Sequence, residues 1–186
     1  YGLNAAAIEY DGNSKYIRIT DIDDVSHDFI QNEVTSPDTD LSKADNYILS
    51  KGDILFARTG ASVGKTYIYK PHDGLVYYAG FLIRARIKKE YDPEFVFQNT
   101  LTNRFEKFIT VTSMRSGQPG INAQEYAQFE LMMPSKSEQN KIGNYFRNLD
   151  HLITLQQRKC IKLQTIKKAM LEKMFPLHVR RDGNDF

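Results

Sequence analysis

From Ser135 to Phe175 the chain contains no proline, and its apolar residues recur with a coiled-coil period. That stretch limits what the chain can become more than any other. Ser135 with Glu138 three residues later is a capping-box start, and the next proline is Pro176. Place the a positions at Phe146, Ile153, Cys160, Lys167 and Met174, and the d positions at Ile142, Leu149, Gln156, Leu163 and Met170. Eight of these ten are apolar, a pattern that predicts a coiled-coil seam. About 40 helical residues span roughly 60 Å. A preceding domain of about 135 residues cannot cover a seam that long, and the chain supplies no second long helix. The partner helix is therefore expected from another copy or another part of a parent protein. Gln156 and Lys167 interrupt the seam, and polar residues there can fix register and partner choice. Cys160 reads as a small apolar seam residue. Gly143 reads as a weak point, about 1 kcal/mol worse than alanine in a helix.

Residues 1–134 read as short strands, loops and one helix. Tyr16–Thr20, Ile54–Ala57, Thr66–Tyr69 and Phe81–Ile87 are strand candidates, with Phe81, Ile83, Ala85 and Ile87 on one face of the last and Arg84 and Arg86 on the other. The acidic stretch Asp21–Asp45 reads as loop. Asp92 and Pro93 form a helix start. Phe97, Leu101, Phe105 and Phe108 then form a single helical stripe. Ser113–Gly120 reads as a loop, and Phe129–Met133 as a last strand. The fold class expected is α+β: a globular mixed α/β domain over 1–134, a long coiled-coil-forming helix over 135–176, and a C-terminal tail over 177–186.

Charge is unevenly placed. Residues 1–45 carry 3 basic and 10 acidic side chains, residues 46–135 carry 11 and 8, and residues 136–186 carry 11 and 5. A polyanion binder that works by overall charge would be basic throughout. Any nucleic-acid contact must therefore come from a local patch, and the acidic stretch is expected to face a protein partner or solvent. A single cysteine excludes a disulfide framework and a cysteine-rich zinc site, and fits a reducing, cytoplasmic setting. No apolar run reaches the length of a membrane span. The chain begins at Tyr1 rather than Met, so a fragment of a longer reading frame is expected.

Gly60–Thr66, with the sequence GASVGKT, resembles a phosphate-binding loop. It has three residues between the glycines instead of four, and strands rather than a helix on its flanks. A tight loop between strands is expected. Asp21, Asp23, Asp24 and Asp28 lack the glycine and distal glutamate of a calcium loop. His27, His72, His151 and His178 are scattered, without a zinc spacing. Neither a metal site nor a catalytic constellation is expected. Arg84, Arg86 and Lys88, with Arg115 to Gln118 in a loop, offer the donors that read guanine, phosphate and adenine. The same residues fit a solvated face.

Taken in order, YIRITDIDD (16–24), KGDILFARTGASVGKTYIY (51–69), GFLIRARI (80–87), RSGQPGIN (115–122), MMPSKSEQNKIGNYF (132–146) and IKKAMLEKMFP (166–176) closely resemble the specificity subunit of type I restriction–modification enzymes, over about residues 2–176. The resemblance implies one target-recognition domain and one conserved helix, half of a subunit that has two of each. Residues 142, 146, 149, 153, 163 and 170 (Ile142, Phe146, Leu149, Ile153, Leu163 and Met170) would form the pairing seam of an antiparallel coiled coil. It implies sequence-specific recognition of one half of a bipartite DNA target, with no cofactor and no catalytic residue in this chain. Methyl transfer would belong to modification subunits, and translocation and cleavage to restriction subunits. The expected partners are double-stranded DNA, those subunits, and a second half-subunit or copy. The DNA-contacting residues expected are Arg84, Arg86, Lys88, Arg115, Gln118 and Asn122. A rival from another class is a non-enzymatic coiled-coil adaptor whose head binds protein.

Overall fold

The computed structural model describes residues 1–114 and 117–175. Its elements are β1 (Ala6–Glu9), β2 (Lys15–Ile17), β3 (Thr35–Asp38), β4 (Asp53–Ala57), β5 (Thr66–Ile68), β6 (Val76–Tyr78), β7 (Leu82–Arg86), α1 (Pro93–Asn99), α2 (Asn103–Ser113), α3 (Ala123–Tyr126) and α4 (Lys136–Met174). The class is α+β with a long C-terminal helix. By contact, the residues group into two units, Tyr1–Arg147 and Asn148–Phe186.

In the first unit the strands form three small sheets. β1 pairs antiparallel with β3, β2 pairs parallel with β6, and β4 lies between β5 and β7, antiparallel to both. After Asp53, β4 is apolar from Ile54 to Ala57 because both its faces are covered. Leu55 points into a core with Ile17, Ile22, Tyr67, Val76, Tyr78 and Leu82, while Ile54 packs with Ile68 and Phe97. Phe56 reaches a third cluster of Ile83, Phe105, Ile109, Ile121 and Tyr126.

Several expectations need correction. Phe81 precedes β7 and is 60% exposed, so it does not share the buried face expected with Ile83; Leu82 and Ile83 are both buried, in different clusters, because both faces of β7 are covered there. The single helix after Pro93 is two. Thr100 Oγ1 donates to the Phe97 carbonyl (2.7 Å), and Thr102 caps α2 by accepting the Phe105 N–H (3.4 Å), so the chain turns between them and Leu101 faces outward. The acidic stretch is not all loop, since it contains β3 and short 3₁₀ turns at Leu41–Lys43 and Asp45–Tyr47. Residues 129–133 form no strand; Phe129 packs edge-on to Phe105 (centroids 5.0 Å apart), and Met132 is exposed.

Other expectations match. Asp92 Oδ1 accepts the Phe95 N–H at 2.9 Å as the N-cap of α1, with Pro93 in its first turn. Gly60–Lys65 join β4 to β5 through a 3₁₀ turn and Gly64, whose φ is +88° and where a Cβ would stand 2.7 Å from Ile109. A strand follows this loop instead of a helix N-terminus, so no phosphate cradle forms.

The long helix begins where it was expected. The Glu138 N–H donates to Ser135 Oγ at 3.3 Å. Its first turns are anchored by Gln139, 2% exposed, which accepts the Asp92 N–H (3.0 Å) and donates to the Pro134 carbonyl (2.8 Å). Beyond them the helix carries its apolar residues in the open: Phe146, Leu149, Ile153, Leu163, Met170 and Met174 are exposed, as is Cys160. Ile142, one turn from Gln139, is half-buried. Among the described residues no helix is long and apolar enough to cross a membrane, and no three His, Cys, Asp or Glu side chains are grouped to hold a metal ion.

Candidate nucleic-acid interface

The register of β4 against β7 sets Asp53 opposite Arg86 and Leu55 opposite Arg84. Asp53 is 2% exposed. Its carboxylate stands 3.4 Å from Arg86 Nε and 3.9 Å from Arg84 Nη1, and it accepts the Ser50 N–H at 3.0 Å. Arg84 also donates to the Ile48 carbonyl (3.1 Å) and lies over the Tyr78 ring at 5.1 Å. A buried carboxylate is costly unless it is paired and hydrogen-bonded, so these two arginines are joined first of all by an internal charge. Arg86 keeps a largely exposed side chain, and Arg84 does not. Lys88 follows the strand and is exposed.

Asn122 has a local task. Its Oδ1 accepts the N–H groups of Gln124 (2.9 Å) and Glu125 (3.0 Å), and Glu125 returns the bond to the Asn122 N–H (2.7 Å). This is a complete capping box on α3. Gln118 is exposed, with its amide nitrogen over Gly60. The structure thus joins Arg84 with Arg86, and places Gln118 beside the β4–β5 loop. Arg115 lies outside the described residues.

Three aspartates of the acidic stretch are paired with basic side chains from elsewhere in the same unit. Arg18 forks onto Asp21 with two bonds of 2.8 Å, which raises the guanidinium's already high pKa. Lys65 pairs with Asp24 at 2.5 Å, and Lys70 pairs with Asp28. Asp23 accepts the Ser26 and Val25 N–H groups, which hold its carboxyl below the usual range. The lysine of the phosphate-loop look-alike is therefore engaged by an aspartate.

Arg58 was not singled out by sequence reasoning. It is the residue after β4, where its N–H donates to the Phe81 carbonyl (3.0 Å) and its carbonyl accepts the Ile121 N–H (2.9 Å). Its guanidinium sits 4.7 Å from the centre of the Tyr1 ring. Only its place at the end of a buried strand, before a Thr-Gly turn, could have marked it in the sequence.

A mixed α/β domain built on small sheets and continued by a 39-residue helix defines a narrow class of architecture. A family model for the type I restriction modification DNA specificity domain matches residues 3–165. The chain belongs to that family. Among solved structures it is similar to the HsdS subunit from Thermoanaerobacter tengcongensis, with a TM-score of 0.60 and 17% identity. It is also similar to a chain from a structure showing complex assembly and conformational transition of the type I R-M system, with a TM-score of 0.54 and 15% identity. Each match covers 100% of this chain and 49% of the other. At that identity the likeness speaks for the fold, and this chain spans about half the length of both.

Proposed function

We propose that this chain is one half of a type I specificity subunit and reads one half of a bipartite DNA target. The observation that carries this is its membership of the DNA specificity domain family over residues 3–165, together with coverage of about half of each similar subunit chain. Residues 1–134 act as the target-recognition domain. The helix over 135–176 pairs with a second such helix through Ile142, Phe146, Leu149, Ile153, Leu163 and Met170, supplied by a second copy or by the other half of a longer chain. An apolar face left open along this helix supports that pairing, because exposed seams of this kind are stable only when covered.

The chain contributes recognition and positioning. Methyl transfer and cleavage belong to the modification and restriction subunits with which it assembles in the cytoplasm. Phosphate contacts from lysines and arginines would make its affinity for duplex DNA fall with salt. Arg86, Lys88 and Gln118 remain available for such contacts through their exposed side chains. Arg84 and Asn122 would contribute by holding β7 and α3 in place.

The test is a methylome. The parent protein is expressed with its modification subunit in a host free of DNA methylation, and methylated adenines are mapped by single-molecule sequencing. Residues 1–134 are then exchanged for the matching domain of a relative. A change in one half of an interrupted motif is expected for a two-domain chain, and a change in both halves for a symmetric dimer. A motif unaffected by the exchange would refute recognition by this domain and favour an adaptor.

A further inference from the structure

We infer that Arg58 and the cleft beside it form a DNA-contacting site, in which the guanidinium donates to paired acceptors on duplex DNA, either a guanine edge or a backbone phosphate; this rests on the DNA-recognition function proposed above. The cleft has a volume of about 610 Å³, and its lining includes Tyr1, Tyr16, Arg18, Thr20, Arg58 and Phe81. Its two arginines differ. Arg18 is engaged by Asp21 through both prongs of its fork. Arg58 has no carboxylate partner among the described residues, and its buried Nε has no hydrogen-bond partner there either. Arg84 and Arg86 share Asp53. Arg58 is therefore the cleft's one uncompensated side-chain cation among the described residues.

It is also held in place. Backbone bonds fix it on both sides, to Phe81 and to Ile121, and the Tyr1 ring supports its guanidinium. An arginine fixed in this way loses little freedom when it binds, which is the condition for a selective contact. Phe81 stands at the same cleft and is 60% exposed, offering an apolar face to a sugar, a base or a thymine methyl. The neighbouring loop is docked onto the same strand end. Gly60 donates to the Pro119 carbonyl at 3.0 Å, Thr59 bridges to Gly120, and Gln118 lies over Gly60. One rigid strand end thus presents an arginine donor, an aromatic face and an amide from loops, which suits reading a base-pair edge.

The test uses the full parent protein with its modification subunit. The wild type, Arg58→Ala, Arg58→Lys, Phe81→Ala and a control, Arg104→Ala at an exposed arginine that lies over the Phe129 ring and does not line the cleft, are compared for methylated motif and for affinity to target duplexes across a salt series. A wild type that methylates no bipartite motif overturns the recognition function and the inference together. With a wild-type motif established, Arg58→Ala is expected to weaken target binding at least tenfold, while Arg104→Ala changes it less than twofold. Lost discrimination at one base pair identifies a guanine contact; uniform weakening, with a salt slope shallower by about 1, identifies a phosphate. If Arg58→Ala melts below the wild type, Arg58→Lys decides, since it keeps the charge and stem but not the fork. A folded Arg58→Lys or Arg58→Ala protein with wild-type affinity, motif and salt slope overturns the inference alone.

Discussion

Gly143 sits in the interior of a helix, where alanine would ordinarily be better by about 1 kcal/mol. The structure reverses that sign. A Cβ at this position would collide with Asp92 Oδ1 and stand 2.9 Å from the Phe95 nitrogen and 3.0 Å from Glu94 Cβ. Those atoms are the capped start of α1, and Asp92 Oδ1 is the oxygen that accepts the Phe95 N–H. Displacing the carboxylate loses an N-cap, about 0.5–2 kcal/mol. Forcing the two helices apart adds an overpacking cost of about 1–3 kcal/mol. Against the propensity gain, Gly143→Ala should be less stable than the wild type by about 0.5–4 kcal/mol.

The assay is urea unfolding of the full chain, followed by far-ultraviolet dichroism and tyrosine fluorescence. A double-mutant cycle with Asp92→Ala separates the causes. Removing the carboxylate relieves the collision, so Gly143→Ala should cost about 1 kcal/mol less in that background, a coupling expected only between groups in contact. A Gly143→Ala protein as stable as the wild type, or more so, would refute the close approach and leave helix propensity as the whole account.

Three further outcomes are expected. Asp53→Ala leaves Arg84 partly buried without its carboxylate and should destabilise the fold by about 3–5 kcal/mol, read by the same urea titration; a change below about 1 kcal/mol would show that the pair contributes nothing. Burial drives the hydroxyls of Tyr67 and Tyr126 far above the usual tyrosine range, with Asp73 adding to the effect at Tyr67. Their contribution to stability is therefore full below pH about 10 and declines as the pH rises above it, so absorbance at 295 nm should show these two tyrosines ionising only with unfolding. Leu149→Asp combined with Ile153→Asp should abolish self-association or helix pairing in sedimentation experiments, and pairing that survives would displace the seam.

What was legible in the sequence was what depends on neighbours within a few residues. The long helix announces itself by period and by the absence of proline, and α1 by its Asp-Pro start. The break at Thr100–Thr102 is also local, but apolar spacing conceals it. Phe97, Leu101, Phe105 and Phe108 keep a helical period, although Phe97 packs with Ile54 and Ile68, and Phe105 with Ile83 and Ile109. Two capping threonines were the available signal. β1 has the sequence AAIE and is exposed throughout, so neither β-branched enrichment nor alternation marks it; it exists through its pairing with β3. β6 is three residues long and is defined by its parallel partner β2.

The site was harder to read for a related reason. Arg84 and Arg86 alternate on one face of a strand, and a sequence pattern cannot say what that face meets. It meets Asp53, more than 30 residues earlier, because the β4–β7 register places the carboxylate opposite them. Arg58 had the opposite problem. It is isolated in sequence and gains significance only from what the fold withholds, since no carboxylate among the described residues pairs with it, while Asp21 and Asp53 engage Arg18, Arg84 and Arg86. A partnerless arginine is costly wherever water is partly excluded. Arg18, Lys65, Lys70, Arg84 and Arg86 each meet an aspartate; Arg58, held at a strand end and half-buried, meets none among the described residues, and its counter-charge is expected from another molecule.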